Sequence, residues 1–550
     1  MQSLQDAGFI VKLSDLPIEE QERLNADFKH YIPTTIAFKE TSASTKCRIC
    51  WDSSRSSNET SSLNSVLLKG TSDYSVVKML ARFRENLIAV SADIRKFYNT
   101  LKLDPEHYKY QMALWRPNLD PDEEPEELVL CVHFYGIRSS GGLCMAAVKQ
   151  LIAMAKEKGF FKIAQVLESA YVDDCNSSVA SIKDLEEIKL EMPEFMKDHG
   201  MPIKALAWTG EEAPKELSED GSINIAGYSW NPVSDEMKVT IPKIFHGEKK
   251  KGRFTPDTVF FTGETSIENI TRFYEDKIIT HELILSKTAA LYDPIGFLSP
   301  LKVYGAYICR RALIESDGDP LKEIIGETRK LFLQYIYQVK KMEAITFARN
   351  VSAIKRSESD ILIMCTDAGH NASMMIFYLG KEANEGLELD FVFSIGNLNY
   401  EDGIIPRNEL EIIDKGTKQA EKLINWMVPE IKKKILITDA KVPLLWLKNK
   451  HLRTQPFVQT RVHAICKLFD PSEMFYIKSE DNPADLGTKF TKFQNTYQKL
   501  GDESLFRRGP KCLRKGLRKA IEDKDLIPAT EINPTRIEKE SASLEIVKLH

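Results

Sequence analysis

The sequence predicts a multidomain protein that mixes α/β and α+β domains. Apolar strands ending in a carboxylate recur at Leu87-Ile-Ala-Val-Ser-Ala-Asp93, Ile361-Leu-Ile-Met-Cys-Thr-Asp367 and Lys434-Ile-Leu-Ile-Thr-Asp439, as buried strands presenting an acid at one end do. Stretches with helical spacing, 143–158 and 183–199, alternate with the strands, which is the mark of mixed architectures. The 550-residue length allows three or four cores, and 43% apolar with 28% charged residues is a globular composition.

Several classes are excluded. No run of 18 uncharged apolar residues occurs, which argues against a membrane-spanning helix. The start Met1-Gln-Ser-Leu-Gln-Asp-Ala-Gly8 lacks the basic-then-apolar order of a signal peptide. Nine cysteines, thinly spread, read as reduced intracellular thiols. A net charge of −5 argues against a polynucleotide partner until its distribution is examined. Residues 1–100 carry +1, 101–250 carry −9, 251–400 carry −3 and 401–550 carry +6. Part of the acid lies in 120–127, read as a solvated surface loop. The basic excess includes Arg507, Arg508, Lys511, Arg514, Lys515, Arg518 and Lys519, either a solvated helix face or a phosphate-contacting surface. Polar stretches at 53–62, 211–221, 246–255 and 352–360 read as connectors, and the polar end from 525 onward reads as a linker.

The sharpest motif is Ala170-Tyr-Val-Asp-Asp-Cys175. Adjacent carboxylates between apolar residues suit a tight hairpin tip. Like charges this close are costly unless a cation neutralises them, and hard divalent cations bind carboxylate oxygen. Upstream, Ala89-Val-Ser-Ala-Asp-Ile-Arg-Lys-Phe-Tyr98 ends a strand in an acid and adds an aromatic five residues on. Together these segments resemble a reverse transcriptase.

The resemblance implies a right-hand polymerase of fingers, palm and thumb, followed by a connection and an RNase H-like domain. It implies two Mg²⁺ ions, with Mn²⁺ as a substitute, held by Asp93, Asp173, Asp174 and the Ile94 carbonyl. Tyr98 falls at the family's steric gate against ribose, although a core aromatic is the plain alternative. Lys46-Cys-Arg-Ile-Cys-Trp-Asp52 resembles the fingers strand, with Arg48 at the triphosphate. Cys47 and Cys50 have no second Cys or Cys/His pair at zinc spacing. Phe134-Tyr-Gly-Ile-Arg-Ser-Ser-Gly-Gly142 resembles the nucleotide-contacting box, through Tyr135 and Gly136, with Gly141 where the family usually has Pro. Lys204 matches a Lys that protonates pyrophosphate; a surface Lys is the simpler alternative. Tyr171, and Tyr228 and Trp230 of Gly227-Tyr-Ser-Trp-Asn-Pro232, match primer- and template-binding positions.

Ser62-Leu-Asn-Ser-Val-Leu-Leu-Lys-Gly70 and the string from Ile284 to Pro300, with Asp293-Pro-Ile-Gly296 at its centre, resemble Bel/Pao long-terminal-repeat retrotransposons. That region often carries a peptidase label. A retroviral-type aspartic peptidase needs Asp-Thr/Ser-Gly, and Asp367-Ala-Gly369 lacks the hydroxyl. The order strand-Asp367, helix-Glu409, strand-Asp439 and late Asp485 instead resembles retroelement RNase H, whose four carboxylates hold two Mg²⁺ ions. Ala440 and Asn408 depart from the usual neighbours without removing a ligand.

The expected layout is an N-terminal extension (1–29), fingers and palm (30–240), thumb and connection (241–355), RNase H (356–495) and a basic tail (496–550). The implied function is RNA-directed DNA synthesis with degradation of the RNA in the hybrid. Expected partners are an RNA template, a DNA primer, an RNA–DNA hybrid and deoxynucleoside triphosphates, with no membrane. A homodimer or association with other polyprotein products stays open. The implied location is intracellular, in a cytoplasmic virus-like particle, with nuclear entry open. A decayed or domesticated copy that binds nucleic acid without turnover is the alternative from another class; an aspartic peptidase ranks below both.

Overall fold

The structure is a computed structural model. It describes residues 1–38, 47–56, 61–70, 74–118, 120, 122–218, 220–247, 258–351, 356–357, 359–383, 386–400, 403–450, 455–490, 493 and 495–532. Parts of the expected connectors 53–62, 211–221, 246–255 and 352–360 lie outside the described residues, as do Lys46 and 533–550. The chain divides into two compact units. The first comprises 1–79, 88–223 and 232–234, and the second 80–87, 224–231 and 235–550.

The first unit is organised by a four-stranded antiparallel sheet. Its order is Ala170–Tyr171, Asp174–Val179, Ile88–Ile94 and Ile203–Trp208. Helices Ser140–Glu157, Phe161–Leu167 and Ile182–Asp198 supply its core, with Val148, Ile163, Ile188 and Met192 packed on Val90 and Ala92. Ser181 caps the last helix, its hydroxyl accepting from the Asp184 amide, a bond that satisfies an otherwise orphaned donor.

The segment 1–29 is not a separate extension. Ile10–Lys12 pairs with Glu126–Leu130, because Ile10 must bury its side chain among Leu128 and Leu130. The 120–127 segment is likewise only partly a solvated loop. Glu126 and Glu127 begin that strand, where Lys12 pairs with Glu126, and Lys29 and Tyr31 hold Glu127.

The second unit contains a six-stranded mixed sheet. Its order is Gly386–Leu398, Ala372–Ala383, Ile361–Ala368, Lys433–Thr438, Met474–Tyr476 and Ile527–Pro528. The first three strands are antiparallel, and Ile361–Ala368, Lys433–Thr438 and Met474–Tyr476 run parallel. Helix Ile405–Trp426 covers one face with Leu410, Ile413, Ala420 and Leu423. The tail expectation fails for 496–532. Ile527–Pro528 extends the sheet, and Phe506, Leu513, Leu526 and Ala529 are buried. Arg507, Arg508, Lys515 and Arg518, four of the seven cations of that run, pair with nearby acids.

The boundary expected at 355/356 marks no break in packing. The Gly296 carbonyl accepts from the Ser394 hydroxyl at 2.5 Å, and the Ser394 amide donates to Ile295 at 2.9 Å. Helix Ser299–Glu315 then seats Val303 against Gly396. Buried Arg349 donates to the carbonyls of Phe83, Asn86 and Leu87 and forms a two-point pair with Asp235. Arg84 donates to Arg349, Val392 and Phe391 carbonyls.

Gly296 has φ +76°, and a Cβ there would lie 1.8 Å from the Ser394 carbonyl oxygen. Gly296→Ala is therefore expected to cost about 2–4 kcal/mol in urea denaturation. At Gly141, in the first turn of helix Ser140–Glu157, the nearest atom to an added Cβ is Tyr74 Oη at 3.9 Å. Gly141→Ala is expected to be neutral or to stabilise by up to about 1 kcal/mol; comparable losses at both positions would contradict this reading.

Candidate active sites

The first acid cluster forms where two strand ends meet. Asp93 and Asp174 are register partners across the antiparallel pair, and the Ile94 amide donates to the Asp173 carbonyl at 3.0 Å. The tip before Asp173 holds Val172 at φ +62°. A β-branched residue in that region is a genuine outlier whose strain the surrounding sheet must hold.

Burial, then the charges of Asp173 and Asp93, push the Asp174 carboxyl up to about 7. Asp93 and Asp173 also lie above the usual carboxylate range, both chiefly by burial. Lys204 opposes the shift at Asp93 and Arg48 the one at Asp173. The fold thus brings Arg48 and Lys204, from distant segments, within electrostatic reach of the acids. Tyr98 is pushed up to about 12 by burial and then by Asp173, and its ring packs edge-on against Tyr135 at 5.9 Å. Tyr135 is 72% exposed. Gly136 has φ +99°, and a Cβ there would sit 2.6 Å from the Trp51 carbonyl oxygen. Tyr171 packs edge-on against Tyr74.

Tyr228 and Trp230 do not join this group. Both are fully buried in the second unit. The Tyr228 hydroxyl donates to Asp293 and accepts from the Ile295 amide, while Trp230 Nε1 donates to Asp235 at 2.9 Å. Rings so enclosed cannot touch a primer, so their expected binding role is corrected to a packing role.

The second cluster lies at the ends of the parallel strands. Asp367 closes Ile361–Ala368, Asp439 follows Lys433–Thr438 and Asp485 sits in the 3₁₀ turn Pro483–Gly487. One oxygen of each falls within 4.8 Å of the others. Glu409, from helix Ile405–Trp426, joins them electrostatically: burial, then Asp439 and Asp367, push its carboxyl up to about 9. Asp367 rises to about 7 by burial and Asp439.

Four residues that the sequence reading passed over orient these acids. Asn482 Nδ2 donates to Asp439 at 3.0 Å and to the Thr366 carbonyl at 2.9 Å. The Thr488 hydroxyl donates to Asp367. Ser479 donates to Asp485 at 3.1 Å, and Lys489 pairs with Asp485. Their signal was present in the polar string around Asp485, where only the acid was weighed.

All donors here are hard carboxylate oxygens, and burial together with the neighbouring acids raises the Glu409 and Asp367 carboxyls above their ordinary acidity range. That donor chemistry fits a divalent cation such as Mg²⁺ or Mn²⁺. Asp367, Glu409, Asp439 and Asp485 would hold it in the second unit, and Asp93, Asp173 and Asp174 in the first. The nine cysteines are free thiols.

Residues 280–440 match the family model described as Pao retrotransposon-like RNaseH-like domain. The match contains Asp367, Glu409 and Asp439 and crosses the expected 355/356 boundary. No curated protein matches the sequence. Among solved structures, the chain resembles a foamy viral protease-reverse transcriptase in complex with double-stranded DNA, with TM-score 0.51 and 13% identity over 86% of this chain and 67% of that one. It also resembles the foamy viral protease-reverse transcriptase in complex with an RNA/DNA hybrid, with TM-score 0.50 and 13% identity over 86% of this chain and 52% of that one. At this identity the likeness is one of fold: a mixed α/β multidomain chain that resembles a retroviral reverse transcriptase, in which residues 280–440 match the Pao retrotransposon-like RNaseH-like domain model.

The raised carboxyls predict a pH dependence. Native Glu409 and Asp367 retain protons that the unfolded chain releases above about pH 4.5. In chelator, stability should therefore fall as pH rises from about 5 and level off above about 9. Thermal denaturation should show that slope flattened by Glu409→Gln, and added Mg²⁺ should restore stability most at the alkaline end.

Proposed function

We propose that the chain is an RNA-directed DNA polymerase with RNase H activity, of a Bel/Pao-type retrotransposon. The observation that carries this reading is the pair of acid clusters, each built where strand ends converge. The family match and the fold likeness support the same reading.

In the polymerase reading, Asp93, Asp173 and Asp174 provide the anionic pocket facing the primer 3′-hydroxyl and the incoming deoxynucleoside triphosphate. Arg48 meets the triphosphate charge, and Lys204 stands ready to give a proton to departing pyrophosphate. The Tyr98 ring limits space beside the sugar and so disfavours a ribose. In the RNase H reading, Asp367, Glu409, Asp439 and Asp485 face the scissile RNA phosphate. Asn482 and Thr488 fix two of these acids, which lowers the cost of ordering them around the substrate. The divalent cations that these acids would hold would supply Lewis acidity toward the attacking and leaving oxygens. Preference for RNA follows from the 2′-hydroxyl, which DNA lacks.

Two variants separate the activities. Asp173→Asn should lower Mg²⁺-dependent primer extension on an RNA template by about a thousandfold or more and leave hybrid cleavage in place. Asp367→Asn should do the reverse. Absence of extension by the parent chain across metals and primers, with salt-sensitive binding retained, would instead favour a copy that binds without turnover.

A further inference from the structure

We infer that the first unit carries a second phosphate-recognising site, apart from the acid cluster. A cavity of about 710 Å³ opens between the N-terminal segment and the chain that follows Ile94, lined among others by Phe9, Arg95, Lys96, Lys102, Tyr108 and Cys131. That size suits a mononucleotide. Three cationic residues line it and, among the described residues, no acidic one does. Among the described residues Arg95 and Lys102 form no ion pair.

The site is built rather than incidental. Lys96 adopts φ +51° and holds its ammonium 4.7 Å from the Phe9 ring centroid. A non-glycine residue in that conformation is uncommon and marks a position held by its surroundings. The walls are tied by backbone bonds: the Cys131 amide donates to Phe9, Arg95 to Pro202 and Leu103 to Cys131, each at 2.9 Å. A guanidinium and two ammonium groups above aromatic and apolar walls match a phosphorylated molecule with a ring-bearing body, the guanidinium pairing with phosphate oxygens and the rings with the base. The phosphate could belong to a free nucleotide or to the backbone of a bound strand.

The consequence is regulatory. Neither Asp93 nor Tyr98 lines the cavity, yet its wall continues directly from Ile94 and flanks Tyr98. Occupancy would bias the position of the segment that carries both. The inference does not require polymerase activity.

The test is equilibrium binding by the full chain in EDTA, which removes any divalent bridge to the carboxylates. The probes are ATP and single-stranded oligothymidylate. Lys96→Asn with Lys102→Gln should weaken binding of at least one probe about tenfold or more; Asn tolerates the left-handed backbone, and thermal midpoints check folding. Lys102→Glu, at an exposed position, should do so alone. Loss confined to ATP identifies a free nucleotide, and loss confined to the oligonucleotide identifies a strand phosphate. If neither variant shifts either probe by more than about twofold, the site assignment is wrong.

Discussion

Crowded carboxylates are the constraint on which the structure turns. Like charges held a few ångströms apart in partly buried surroundings oppose folding, and this chain builds two such clusters. Each is made at the ends of paired strands, where backbone hydrogen bonding fixes the acids and leaves them no room to separate. In the first unit the antiparallel register sets Asp174 against Asp93, and the left-handed Val172 holds the tip. In the second, parallel strands bring Asp367 and Asp439 to one end, and the turn Pro483–Gly487 adds Asp485. The raised carboxyls at Asp174, Asp367 and Glu409 record the cost. A hard divalent cation bound there would offset it.

The second unit pairs this acidic investment with buried cations. Arg349 donates to the Phe83 and Asn86 carbonyls and Arg84 to the Val392 and Phe391 carbonyls. Arg356 bridges Glu85, Asp360 and the Pro429 carbonyl. Removing one arginine would leave several carbonyls and a carboxylate unsatisfied, a larger loss than a surface ion pair carries. The Asp293 carboxylate works in the same way, accepting from the Tyr228 hydroxyl and the Phe297 and Leu298 amides.

Much of this was legible in the sequence, because strand-then-acid is a local signal. Leu87–Asp93, Ile361–Asp367 and Lys434–Asp439 could be read directly, and the Asp173-Asp174 pair needed only a hairpin. Glu409 and Asp485 needed chain order and resemblance, since a helix-terminal acid and a capping acid look alike. Tertiary facts were hidden. The sequence Gly227-Tyr-Ser-Trp reads the same whether its rings face solvent or core, and only the Asp293 and Asp235 partners decide. The end of the chain misled for a similar reason: Leu526 and Ala529 sit in a polar stretch whose few apolar positions prove decisive once a sheet edge is available.

The central claim is that two carboxylate clusters perform separable reactions on one nucleic-acid substrate. The most direct measurement is a single reaction on an RNA template annealed to a DNA primer, each strand carrying its own label and both followed together while Mg²⁺ is titrated from chelator. The account predicts that primer lengthening and RNA shortening both begin only with the cation, and at different cation concentrations because their ligand sets differ. Either process at full rate in chelator, or neither at any cation concentration, would contradict it.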